Sequence, residues 1–90
     1  MIEFGLKVGD NTYTLQTDLN VRTGPGADYP LQPREKMTED GRKHSTGSAL
    51  HKGTRVTVLK IIADPFKGSA WIQIPSGYIC GADGNKQYVK

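Results

Sequence analysis

The chain has 90 residues, 12 basic and nine acidic, and a formal net charge of +3. That length holds one small domain and no second core, and its 36% apolar content is lean for a globular domain without being the profile of a disordered one. The single cysteine, Cys80, excludes an intrachain disulfide framework and an all-cysteine metal site, and fits synthesis in a reducing compartment. The small, scattered positive bias suits an anionic surface without naming one.

Residues 1–12 read as a linker or an extra edge strand, and residues 13–90 as the domain. The first ten residues lack the basic start and long apolar centre of a secretory signal, so the chain is expected either to be made in the cytoplasm or to be a domain whose export is handled elsewhere. No apolar run approaches a membrane span, and no membrane insertion is expected.

Eleven glycines and five prolines interrupt every would-be helix, and no window keeps apolar residues at helical spacing for three turns. Alternation takes its place. Leu19-Asn-Val-Arg22 sends Leu19 and Val21 inward and Asn20 and Arg22 outward. Thr23-Gly-Pro-Gly26 must then break the strand, because proline cannot donate to a ladder. Residues 32–49 carry four basic and three acidic side chains and almost nothing apolar. They read as a long surface loop with one helical turn near Thr38-Glu39-Asp40, stopped by Gly41.

Thr54-Arg-Val-Thr-Val-Leu59 places Val56 and Val58 on one face. Trp71-Ile-Gln-Ile74 sends Ile72 and Ile74 to the core and Trp71 and Gln73 to the other side. Pro75-Ser-Gly77 is a tight reversal, and Asp83-Gly-Asn85 is a hairpin turn between Tyr78-Ile-Cys80 and Gln87-Tyr-Val89. Short strands at this spacing predict an all-β fold, a compact antiparallel barrel or sandwich with a long inserted loop.

Leu19-Asn-Val-Arg-Thr-Gly-Pro-Gly-Ala-Asp-Tyr29 resembles the opening signature of bacterial SH3-like (SH3b) domains, with Thr23 in place of the family's serine. Lys52-Gly-Thr-Arg-Val56, Trp71-Ile-Gln-Ile74 and Gly77-Tyr-Ile79 resemble the family's later motifs and follow in its order. The main departure is the insertion at residues 32–49. The long version looks most like the C-terminal domains of phage endolysins and N-acetylmuramoyl-L-alanine amidases of Gram-positive hosts.

The resemblance implies a small antiparallel SH3-like barrel and a non-catalytic role. Such a domain holds a parent lysin on the cell wall by binding peptidoglycan peptide or a wall polymer such as teichoic acid. It also implies a catalytic domain elsewhere in the parent protein. A free wall-binding domain made from an internal start, joining the full-length lysin chain, is a further implied form.

Strand parity nominates Trp71 and Tyr78 as outward aromatics, and Tyr13 and Tyr29 flank the signature. In a groove they would hold a peptide or sugar; the plain alternative is that they cap the ends of a thin barrel. Arg22 suits a stem-peptide carboxylate or a wall phosphate, but the expected role is bracing the Gly24-Pro25 turn or pairing with Asp18 or Asp28. The ligand is expected in a groove between the loop after Arg22 and the strand carrying Trp71.

The charged loop reads as a solvated surface; approach to teichoic acid, a groove wall or a homo-oligomer contact are its other readings. His44 and His51 lack nearby partners for zinc, so neither metal nor cofactor is expected. A nucleophilic Cys80 would need a lowered pKa, which a strand before a hairpin does not supply. An enzyme is therefore the least expected class. Peptide-binding interaction with a phage or bacterial partner protein is the alternative function. Nucleic-acid binding is not expected at so small a net charge.

Overall fold

The computed structural model describes residues 12–64, 68–83 and 86–90. The elements run β1 (Thr12–Thr14), β2 (Leu19–Asn20), a single 3-10 turn (Arg34–Lys36), α1 (Glu39–Lys43), β3 (Ser45–Thr46), β4 (Ala49–Leu50), β5 (Arg55–Thr57), β6 (Lys60–Asp64), β7 (Ser69–Ile74), β8 (Gly77–Asp83) and β9 (Lys86–Gln87). The fold is all-β in its framework, as the alternation predicts. Thr12 belongs to β1, and residues 1–11, read as a linker or edge strand, lie outside the described residues.

Every ladder among the described residues is antiparallel. Among the described residues the strands form three sheets, with orders β1-β5, β2-β4-β3 and β6-β7-β8-β9. No closed barrel forms among the described residues; isolated bridges join the sheets. Leu15 bridges Val89, and Arg22 bridges both Leu31 and Tyr78. At the last of these, Arg22 N–H donates to the Tyr78 carbonyl at 2.8 Å and Tyr78 N–H returns the bond at 3.0 Å.

The core draws one or two residues from each strand-rich segment. Leu15, Val21, Leu50, Val58, Ile72, Ile79 and Val89 are all under 2% exposed. Each such side chain stabilises the fold by about 1.5–3 kcal/mol relative to leaving it in water. Val56, Val58, Ile72 and Ile74 are buried and Thr57 is half-buried, as alternation requires.

Ile74 pairs with Gly77 across the two-residue reversal Pro75-Ser76. Gly77 has φ of +144°, and a Cβ there would meet the Arg22 carbonyl and Val21 Cγ1, each at 2.8 Å. Only glycine combines that backbone with so close a crossing strand. At the other reversal, Asp83 pairs with Lys86, and Gly84 and Asn85 lie outside the described residues.

In the segment at residues 32–49 the charged side chains are exposed or half-buried, as a solvated surface predicts, but the segment also sends one side chain into the core. Met37 is 3% exposed and joins the core. Thr38 caps α1, its hydroxyl accepting from Gly41 N–H at 2.9 Å. Gly41 does not stop the helix: it lies buried inside α1, pressed against Ser76, and the helix runs on to Lys43. One buried side chain and a backbone packed on the β7–β8 turn were enough to order a stretch whose composition is polar.

Candidate functional site

A groove of about 650 Å³ opens on one side of the molecule. One wall is the segment after Arg22, with Pro25, Gly26 and Ala27. The floor comes from β7 and β8, with Ser69, Trp71, Cys80 and Asp83. Tyr88 closes one side, and Asp18, Leu19 and Asn20 line another. The groove therefore lies between the loop after Arg22 and the Trp71 strand, where the sequence places it.

Sheet register explains the floor. Trp71 pairs with Cys80, but Ala70 pairs with Ala82, so Gly81 is an extra residue in β8. The bulge resets the strand's phase. Ile79 and Ala82 are both buried, and Cys80 and Asp83 both turn to the groove. Strict alternation would have put Asp83 on the core side. The Gly81 carbonyl also accepts from Tyr88 N–H at 2.8 Å, which sets Tyr88 beside the floor.

The wall is braced from below. Arg22 Nη1 donates to the Tyr29 carbonyl at 2.9 Å, so the guanidinium ties the ends of the loop. Thr23 N–H donates to the Pro30 carbonyl at 3.0 Å and closes the same loop. The Tyr29 ring packs over Gly24: a Cβ on Gly24 would lie 2.5 Å from the ring. Arg22 thus plays the bracing part, through the Tyr29 carbonyl. Asp18 Oδ1 instead accepts from Lys52 N–H at 2.7 Å.

Of the residues nominated from sequence, Trp71 and Arg22 meet in this groove. Tyr29, Tyr78 and Tyr13 do not line it. Tyr29 is 46% exposed and serves the loop that forms the wall. Tyr78 is half-buried outside the groove, where its backbone bonds Arg22. Tyr13 lies on β1 opposite Val56 and packs on the core. Parity alone cannot say which outward aromatics share a face with which loop. The sequence reading missed Tyr88, Asp83 and Asp18 as groove residues. Tyr88 was within reach of parity, since Val89 beside it is buried; Asp83 was hidden by the bulge.

Cys80 is a poor nucleophile. Burial, and then the nearby Asp83 carboxylate, push its thiol above the ordinary 9.0, outweighing the opposite pull of a hydrogen bond with the Ala82 backbone. No histidine lines the groove. His44 Nε2 lies 3.5 Å from Asp40 Oδ1, and His51 Nε2 lies 2.7 Å from Thr46 Oγ1. No group of three His, Cys, Asp or Glu gathers among the described residues.

The two arginines at residues 32–49, Arg34 and Arg42, serve their own segment. Arg34 Nη1 donates to the Gly47 carbonyl at 2.7 Å, and Arg42 Nη1 to the Met37 carbonyl at 2.7 Å. Each also donates to the other's carbonyl, Arg34 to Arg42 at 3.3 Å and Arg42 to Arg34 at 3.2 Å. Neither lines the groove. No helix among the described residues is long and apolar enough to cross a membrane. Compared with protein-family models, with curated proteins and with solved structures, the chain matches none.

Proposed function

We propose that this chain is a non-catalytic targeting module of a phage lysin or autolysin, holding a peptidoglycan hydrolase on the Gram-positive wall. The observation that carries the reading is the groove itself. A half-buried tryptophan and a tyrosine line an open channel of peptide or sugar dimensions, with a few polar groups around them. Aromatic walls give contact area at low entropy cost, and the polar groups orient the ligand. The order of motifs that resembles SH3b domains supports the same reading. So does the state of Cys80, a thiol kept protonated in a groove without a histidine.

The internal bonds of Arg34 and Arg42 favour peptidoglycan peptide over an anionic wall polymer as ligand. Guanidinium donors already engaged by backbone carbonyls are less free to pair with phosphate.

The test is a fluorescent fusion of the chain mixed with a panel of purified Gram-positive walls, with and without teichoic acid. Binding that survives removal of teichoic acid, and that Trp71→Ala weakens by about tenfold or more, supports the reading, because a central aromatic carries much of such an interface. Failure to sediment with any wall would sink it, and would turn attention to a protein partner.

A further inference from the structure

The charged residues described in the groove lining carry a net sign opposite to that of the molecule. The chain carries +3 overall. Among the described residues, the groove lining holds two carboxylates, Asp18 and Asp83, and one guanidinium, Arg22. That guanidinium is tied to the Tyr29 carbonyl. Asp18 uses Oδ1 for the Lys52 N–H, and its other oxygen has no partner among the described residues. The Asp83 carboxylate likewise has none among them. Its field is felt inside the groove, since it helps to keep the Cys80 thiol protonated.

An anionic ligand would meet two carboxylates here and would have to displace the Arg22 brace to find a cation. A neutral ligand would leave two carboxylates partly desolvated without a counter-charge. An ammonium group resolves both problems. It offers three donors to the open carboxylate oxygens, and a cation beside aromatic rings gains further from their quadrupoles.

We infer that the groove reads a free, protonated amine on a peptidoglycan peptide, with Asp18 and Asp83 as its anionic partners and Trp71 and Tyr88 as the apolar walls around it. This rests on the wall-binding reading above and narrows its ligand: the side-chain amine of an unsubstituted stem-peptide lysine has this chemistry.

The experiment uses walls whose stem peptides carry lysine, stripped of teichoic acid. One half is left untreated and the other exhaustively N-acetylated, which removes the amine charge and leaves the polymer otherwise intact. The chain is expected to bind untreated walls and to lose about tenfold or more in affinity on acetylated ones, since a charge-assisted pair becomes at best a neutral hydrogen bond. Asp18→Asn and Asp83→Asn keep the side-chain shape, and in the first of these the amide oxygen can still accept from Lys52 N–H. Each is expected to weaken binding to untreated walls by about threefold to tenfold and to change little on acetylated walls.

A soluble L-Ala-D-isoGln-L-Lys-D-Ala peptide should compete, and its Nε-acetyl form should not. The lone tryptophan, Trp71, reports peptide binding directly by fluorescence. Equal binding to both walls, with no effect of either asparagine substitution, overturns the amine assignment while the wall-binding reading stands. Competition by a de-N-acetylated glycan strand and not by the peptide also overturns it. No binding to untreated walls overturns both. The acetylation comparison needs no variant, so a substitution that fails to fold cannot obscure the result.

Discussion

Trp71 on β7 faces Cys80 on β8 across the sheet, while the neighbouring pair is Ala70 with Ala82. The skipped residue, Gly81, gives the groove its floor. It lets Cys80 and Asp83 share the outer face although three positions separate them, and its carbonyl holds Tyr88. Deleting Gly81 would restore strict alternation with Asp83 still facing outward, but would remove both the local bend and the carbonyl that positions Tyr88. The deletion is expected to weaken wall binding by about tenfold, the scale of losing a groove aromatic, and to lower the melting temperature. Sedimentation with walls and thermal unfolding read the two effects.

Among the tyrosines, position relative to the groove should decide the phenotype. Tyr88→Ala is expected to weaken wall binding by about tenfold, as loss of a groove aromatic does. Tyr78→Ala and Tyr13→Ala should leave binding within about threefold, their cost appearing in stability through lost packing. Parallel binding isotherms and melting curves separate the two classes.

Gly41→Ala sets two effects against each other. Alanine in a helix interior gains about 1 kcal/mol over glycine. The new Cβ, however, collides with Ser76 Oγ, which is held by Thr38 N–H at 3.1 Å and lies 3.0 Å from Thr38 Oγ1. A side chain so fixed cannot step aside, and overpacking costs about 1–3 kcal/mol, so the net change should be destabilising. In the Gly41→Ala, Ser76→Ala double variant the clash with the hydroxyl is gone, leaving tight contacts with Thr38 Oγ1 at 3.1 Å and the residue-76 Cβ at 3.3 Å, and the two changes should be non-additive by about 1 kcal/mol or more in a double-mutant cycle.

Alkaline pH should act through Cys80. Its folded-state pKa is raised, so its contribution to stability is fully present below the unfolded value and is lost as pH climbs through the folded one. Above about pH 9 the unfolded chain releases this proton first, and unfolding becomes easier. Cys80→Ser should remove that share of the alkaline decline. Alkylation of native Cys80 by iodoacetamide at pH 8 should run slower than that of the denatured chain, followed by mass.

The polar composition of residues 32–49 hid an ordered element. Met37→Ala should cost about 2–4 kcal/mol, the scale of a core truncation, where a solvated loop would show almost nothing. That corresponds to a fall of well over about 5 °C in a domain of this size, read by thermal unfolding.

Local alternation was enough to place the framework. Leu19 with Val21, Val56 with Val58 and Ile72 with Ile74 repeat every second residue, and a strand with one buried face has no other way to satisfy that spacing. The turns at residues 23–26 and 75–77 were legible for a similar reason, since proline and glycine act on their own backbone. The groove could be foreseen only as a meeting of the loop after Arg22 with the Trp71 strand.

Which side chains enter it depended on tertiary structure. A single bulge at Gly81 shifts every later residue of β8 to the opposite face, and nothing in a period-two pattern marks where that shift falls. The place of Met37 and the continuation of α1 through Gly41 were likewise set by packing against the β7–β8 turn, a contact between residues nearly forty positions apart. Local spacing carries the strand because its cause is local. The site and the ordered insertion have causes that exist only once distant segments touch.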